Sequence, residues 1–133
     1  MSRNKGFTLI ELMIAVAIVA IIAAIAYPAY TKSAMKGRRA DAKAILTQVS
    51  QSLERCYTQY GLYTSASCTQ TTAITGGASV DSAQKYYTVT GVVSGTDYTL
   101  TATAVSGGPQ GKDTDCPTLT LTSAGAQGPS SCW

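Results

Sequence analysis

Polarity changes regime three times along the chain. A short basic leader, Met1 to Gly6 with Arg3 and Lys5, precedes a run from Phe7 to Tyr30 whose only formal charge is Glu11. From Ala42, apolar residues return every three or four positions, at Ala42, Ile45, Leu46, Val49, Leu53, Tyr57 and Tyr60, with Lys43, Gln48, Gln51 and Glu54 between them. That spacing puts one apolar stripe on a helix, a face that packs on a sheet. From Tyr86 the period drops to two. Thr alternates with Tyr, Val or Leu in Tyr86 to Val93, Tyr98 to Ala104 and Thr118 to Thr122, which predicts three strands.

The first run has membrane-spanning length. At about 1.5 Å per residue it forms a helix of roughly 36 Å, against a hydrocarbon core of about 30 Å. Basic residues flank it on both sides, Arg3 and Lys5 before and Lys32, Lys36, Arg38 and Arg39 after, so charge alone leaves orientation open. Glu11 stands out. An ionisable group inside an apolar span costs a few kcal/mol, so it either snorkels to the headgroups or has a partner. A secretory signal offers a competing pattern, with Ala24-Ile25-Ala26 as an A-x-A-like cleavage site. Pro28 removes a helical hydrogen bond and crowds the preceding turn, so a kink is expected near Ala24 to Pro28. Gly37 is a second weak point.

Gly61 is a plausible helix stop, and Gly61 to Gln84 reads as a loop, rich in Ser and Thr with Gly76-Gly77. Ser94-Gly95-Thr96-Asp97 supplies a hairpin turn between the first two strands. The expected result is an α+β fold, an antiparallel meander with one face open to Ile45, Leu46, Val49 and Leu53. A fourth strand near the C-terminus is a further option. Ser106 to Asp115 is the long connection, and Ser123 to Ser131 closes the chain before Cys132-Trp133.

Length leaves roughly 100 residues beyond the apolar run, one small domain with one core. Losing Arg3 and Lys5 takes the 10 basic residues to 8 against 7 acidic ones, so net charge falls from +3 to +1 and no strong nucleic-acid field follows. The low charge and many hydroxyls suit a surface packed against copies of itself. Cys56, Cys68, Cys116 and Cys132 form an even set in a small domain, which reads as disulfides in an oxidising compartment, with three connectivities open. No C-x-x-C and no histidine occurs, so zinc sites and Ser-His or Cys-His catalysis lack their residues.

Three weaker motifs resolve into ordinary chemistry. Gly107-Gly108-Pro109-Gln110-Gly111-Lys112 lacks the first glycine and the magnesium-binding hydroxyl of a phosphate loop, and reads as a turn. Asp113-Thr114-Asp115 offers two carboxylates, too few for calcium. Lys36, Arg38, Arg39 and Lys43 read as a solvated collar above a membrane rather than a DNA patch, and Lys85 and Lys112 add only thin support for a basic stripe. Tyr57, Tyr60, Tyr63, Tyr86, Tyr87 and Tyr98 are expected in core and interface.

The segment Gly6-Phe7-Thr8-Leu9-Ile10-Glu11-Leu12-Met13-Ile14, with Pro28 and Tyr30 beyond, resembles the class III leader and N-terminal helix of type IV pilins of the short-leader kind. The cysteine-bounded tail from Cys116 to Cys132 resembles the pilin D-region. The resemblance implies a ladle-shaped pilin fold, divided as leader 1–6, transmembrane and assembly helix 7–30, amphipathic helix 31–60 and β-domain 61–133. A continuous helix from Phe7 to Tyr60 would measure about 80 Å, so half of it would project from the domain.

It also implies chemistry at named residues. A prepilin peptidase cuts after Gly6 and methylates Phe7, which leaves the span attached as an anchor in the inner membrane. Glu11 then pairs with the amine of a neighbouring subunit as the pilus assembly machinery builds an extracellular helical filament of identical chains. The cysteines are expected to pair locally, Cys56 with Cys68 and Cys116 with Cys132, the second matching the family's C-terminal loop. Family members often carry glycine where this chain has Ala20, and alanine makes melting before Pro28 harder. The implied role is structural, without catalytic residues, metal or cofactor: a pilus subunit for adhesion, twitching motility, phage attachment or DNA uptake. The alternatives are a minor pilin, a DNA-binding competence pilin and, less favoured by the cysteine loop, a type II secretion pseudopilin.

Overall fold

The computed structural model describes residues 6–133; the leader residues Met1 to Lys5, with Arg3 and Lys5, lie outside them. Helix α1 runs from Leu9 to Tyr60 with Pro28 inside it. The chain divides into two compact units, Met1–Ala34 and Met35–Trp133, the second called the head below.

In the first unit every residue from Gly6 to Tyr30 is exposed. Its apolar stretch is long and apolar enough to cross a membrane, and none of that window is buried within the chain. So much uncovered hydrocarbon requires lipid or other helices around it. Thr31 Oγ1 donates to the Pro28 carbonyl at 3.0 Å, capping a group near the proline with a local side chain.

The head packs the α1 stripe on a sheet. Ala42, Ile45, Leu46, Val49, Leu53 and Cys56 are buried. Tyr57 and Tyr60, expected on the same stripe, are 37% and 46% exposed, and Cys56 takes the inward position near the helix end. Cys56, three residues beyond Leu53, lies on the buried stripe by helical period, and its disulfide to Cys68 covers it. Gly61 ends the helix at φ 74°, its amide donating to the Tyr57 carbonyl at 2.7 Å.

The segment expected to be a loop contains two elements, α2 (Thr69–Ile74) and β1 (Val80–Asp81). Composition hid them because neither is stabilised locally: α2 is six residues long and gains its place by burying Ile74. Ile74 lies over Gly91, where an added Cβ would come within 2.8 Å of its Cδ1. The sheet continues with β2 (Tyr87–Val93), β3 (Tyr98–Ala104), β4 (Thr118–Thr122) and β5 (Gln127–Gly128). All neighbours are antiparallel in the order β1-β2-β3-β4-β5, so the meander has five strands where three runs were legible. β5 and the short 3-10 turn Ser130–Cys132 occupy the stretch expected to be a closing loop.

Alternation does the sorting. Tyr87, Val89, Tyr98, Leu100, Ala102, Leu119 and Leu121 point into the core. On the outer face, Thr88 pairs across to Thr103 and then Thr118, and Thr90 to Thr101 and then Thr120. A one-residue slip would exchange the two faces, so the buried set fixes the register.

Candidate functional site

At the N-terminus, Gly6 and Phe7 precede the helix, and Thr8 opens it. Thr8 Oγ1 and Thr8 N both donate to Glu11 Oε2, at 3.2 and 3.4 Å, while Glu11 N donates to Thr8 Oγ1 at 3.3 Å. This reciprocal arrangement is a capping box. Glu11, expected to need a partner, therefore has a local one within the chain. Thr8 and Glu11 stand in the T-x-x-E spacing that marks a capping box in sequence.

Both cysteine pairs are bonded, Cys56 to Cys68 and Cys116 to Cys132. The first ties the end of α1 to the start of α2. The second joins the segment before β4 to the C-terminal turn. Among the described residues no cysteine is free.

The connection after α1 is held from inside. Glu54 Oε1 accepts the hydroxyls of Tyr63 and Tyr98, each at 2.9 Å, and Ser50 Oγ lies 2.7 Å from the Tyr98 hydroxyl. The Tyr63 ring lies 4.6 Å from that of Tyr57 and meets Tyr98 edge to face at 5.0 Å. Burial foremost, and the Glu54 carboxylate after it, push the Tyr63 hydroxyl well above its ordinary range. Of the six tyrosines, Tyr63, Tyr87 and Tyr98 enter the core, Tyr86 is half-buried, and Tyr57 and Tyr60 stay exposed.

The supposed collar is not uniformly solvated. Arg39 is buried, donating from Nε and Nη2 to the two carboxylate oxygens of Asp113 at 2.7 Å each. This two-pronged contact, opposed by burial, draws Asp113 below the ordinary carboxylate range and raises Arg39. Gln110 joins them. Its Nε2 lies 2.8 Å from Asp113 Oδ2, 2.9 Å from the Tyr87 hydroxyl and 3.2 Å from the Met35 carbonyl. Spacing gave no hint of a contact between residues so far apart in sequence. Of the other collar cations, two face aromatic rings, Arg38 at 5.2 Å from the centre of Tyr86 and Lys43 at 5.8 Å from that of Trp133.

These contacts gather charge at one end of the head. The helix turn from Met35 to Asp41 is touched by Gln110, by Tyr86 and by the Gln84 amide, which donates to Asp41 Oδ1 at 3.3 Å. Lys36, Lys85, beside Gln84, and Lys112, beside Asp113, are exposed. Lys85 and Lys112, isolated in the sequence, each adjoin a residue that contacts this part of the helix.

Comparison with known proteins identifies the family. A family model described as "Type IV minor pilin ComP, DNA uptake sequence receptor" matches residues 28–120, and one described as "Prokaryotic N-terminal methylation motif" matches residues 1–27. The type IV major pilin protein PilA of Myxococcus xanthus (strain DK1622) is 48% identical over 44 residues, 33% of this chain; the match spans only 20% of that relative's length. A type IV pilin from Shewanella oneidensis superposes with a TM-score of 0.54 at 27% identity, over 74% of this chain and 97% of that one. Type IV pilins are a structural rather than enzymatic family, whose members undergo prepilin peptidase processing and pilus assembly. The chain belongs to the type IV pilins, within the family whose model, matching residues 28–120, carries the minor pilin description.

Proposed function

We propose that this chain is a minor pilin whose head binds duplex DNA from within an extracellular filament. Prepilin peptidase cuts after Gly6 and methylates Phe7; residues 7–30 hold the subunit in the inner membrane until assembly. Glu11 then exchanges its contact with Thr8 for the amine of a neighbouring subunit, because a carboxylate among apolar helices is stabilised by a full opposite charge. Pro28 inside the helix removes one backbone hydrogen bond, so the helix is expected to bend there on assembly. Adhesion, twitching motility and phage attachment would be filament-level roles of the same assembly.

The observation that carries the DNA reading is the family match over residues 28–120, and the exposed cations Lys36, Lys85 and Lys112 of the head are the groups offered to phosphates. Cations near one another neutralise successive phosphates and release their counterions. Tyr86 beneath Arg38 adds an apolar surface that keeps the guanidinium extended.

The test is fluorescence anisotropy with labelled duplex DNA and the full chain in detergent micelles, across a salt series. Wild-type affinity is expected to fall steeply with salt, and Lys85→Ala with Lys112→Ala to flatten the logarithmic slope by about 2. Binding that is indifferent to salt, or a double variant with unchanged slope, overturns the reading.

A further inference from the structure

A polar cleft runs along the seam between α1 and α2, at the part of the head that the functions above leave unused. One section, about 250 Å³, is lined by Gln48, Gln51, Ser52, Arg55 and Gln70, and is closed below by Ile45, Val49 and Val80. The next, about 170 Å³, shares Ser52, Arg55 and Gln70 and extends to Gln59 and Tyr60. The two sections meet at Arg55.

Its chemistry is unusual for a helix surface. Gln48, Gln51, Ser52, Arg55 and Gln59 follow one another at spacings of three, one, three and four, so a single face of α1 presents amides and a hydroxyl around one cation. Exposed helix faces ordinarily pair alternating charges. Here, among the described residues, the only ion pair is that of Arg39 with Asp113, which leaves Arg55 without a carboxylate. The walls are fixed, since the Cys56–Cys68 disulfide joins α1 to α2 and Ile74 anchors α2 in the core. A preorganised wall lowers the ordering cost of binding.

We infer that this cleft binds an acidic sugar, a pyranose ring that carries one carboxylate. One such ring presents a single negative charge and several hydroxyls. Arg55 takes the carboxylate with its planar fork, and the amides of Gln51, Gln59 and Gln70 both donate to and accept from ring hydroxyls. Tyr60, 46% exposed at the far end, offers its ring face to the sugar's C–H face. A volume of about 250 Å³ suits one or two sugar rings rather than a polymer groove. Nucleic acid fits less well, because a phosphate backbone asks for several cations in a row and amides outnumber cations here.

Isothermal titration of the full chain in detergent micelles tests this, with galacturonate as probe and its methyl ester as the neutral control. Wild-type protein is expected to bind the acid in the millimolar range, and the ester about tenfold more weakly. Arg55→Gln is expected to lose about tenfold or more, while Arg55→Lys, which keeps charge without the fork, falls between. Arg38→Gln, at the other cationic end, is expected to bind like wild type. Gln70→Leu, which leaves Arg55 intact but makes the cleft wall apolar, separates loss of the site from loss of one charge and is also expected to weaken binding. Equal binding of acid and ester, unchanged affinity in Arg55→Gln, or no binding at millimolar acid overturns the inference. So does duplex DNA that displaces the sugar and depends on Arg55 for its own affinity, which would make the cleft a nucleic-acid contact.

Discussion

Arg39 and Asp113, 74 residues apart in sequence, are joined through two hydrogen bonds of 2.7 Å between buried groups. The pair fastens the connection between β3 and β4 to the first turns of the head's helix. Removing one partner leaves the other charged and buried. Asp113→Ala is therefore expected to destabilise the head by about 3–5 kcal/mol, whereas replacing both with apolar residues of similar size costs much less. Urea unfolding followed by Trp133 fluorescence measures both.

The same pair gives the head its acid limit. Asp113 titrates below its ordinary value of 3.8 when folded, so its contribution is complete above that value and is lost as pH falls through the depressed one. The unfolding midpoint is expected to hold down to about pH 4 and drop below it. In Asp113→Asn that part of the drop disappears. A pH series of urea midpoints that is identical for the two proteins contradicts this account.

Gly91 leaves the space that Ile74 fills. A side chain there would also press within 3.2 Å of Leu100 Cδ2, besides the 2.8 Å approach to Ile74 Cδ1. Gly91→Val is expected to cost about 1–3 kcal/mol by overpacking and to dislodge α2 from the sheet. Faster amide exchange across Thr69 to Ile74, measured by mass spectrometry, reports the dislodging. Exchange in α2 that matches wild type would mean the sheet yields instead.

The two disulfides close loops of 12 and 16 residues. Chain entropy assigns about 3 kcal/mol to a loop of this size. Cys116→Ser with Cys132→Ser is expected to lower the thermal midpoint and free the C-terminal segment. Cys56→Ser with Cys68→Ser is expected to act locally, loosening α2 and with it the cleft around Arg55. Limited proteolysis distinguishes the two by where the first cut falls.

Intact-mass spectrometry of subunits sheared from cells tests processing. The expected mass is that of residues 7–133 with one added methyl group, less four hydrogens for the two disulfides. Glu11→Val is expected to be processed identically yet to give few filaments, and Thr8→Val to retain more assembly than Glu11→Val. Normal filament yield from Glu11→Val removes Glu11 from assembly.

The sequence by itself determined what repeats locally. An unbroken apolar stretch from Phe7, a stripe from Ala42 to Leu53 and alternation in the three long strands each follow from the period of a helix or a strand. The core residues Ile45, Leu46, Val49, Leu53, Leu100 and Leu119 were legible for that reason. The N-terminal motif identified the family because leader, Glu11 and Pro28 fall within one short segment. Tertiary structure decided whatever depends on two distant segments meeting. Arg39 reads as solvated until Asp113 arrives, Gln110 reads as part of a glycine-rich turn until Met35 and Tyr87 surround it, and Arg38 meets Tyr86 only through the closed meander. α2 and β1 belong to the same class: too short to hold themselves, they exist because Ile74 and the sheet edge offer burial and backbone partners. Local pattern reports which face of an element is apolar, and the energy of a long-range pair is set by the partner that loop closure delivers.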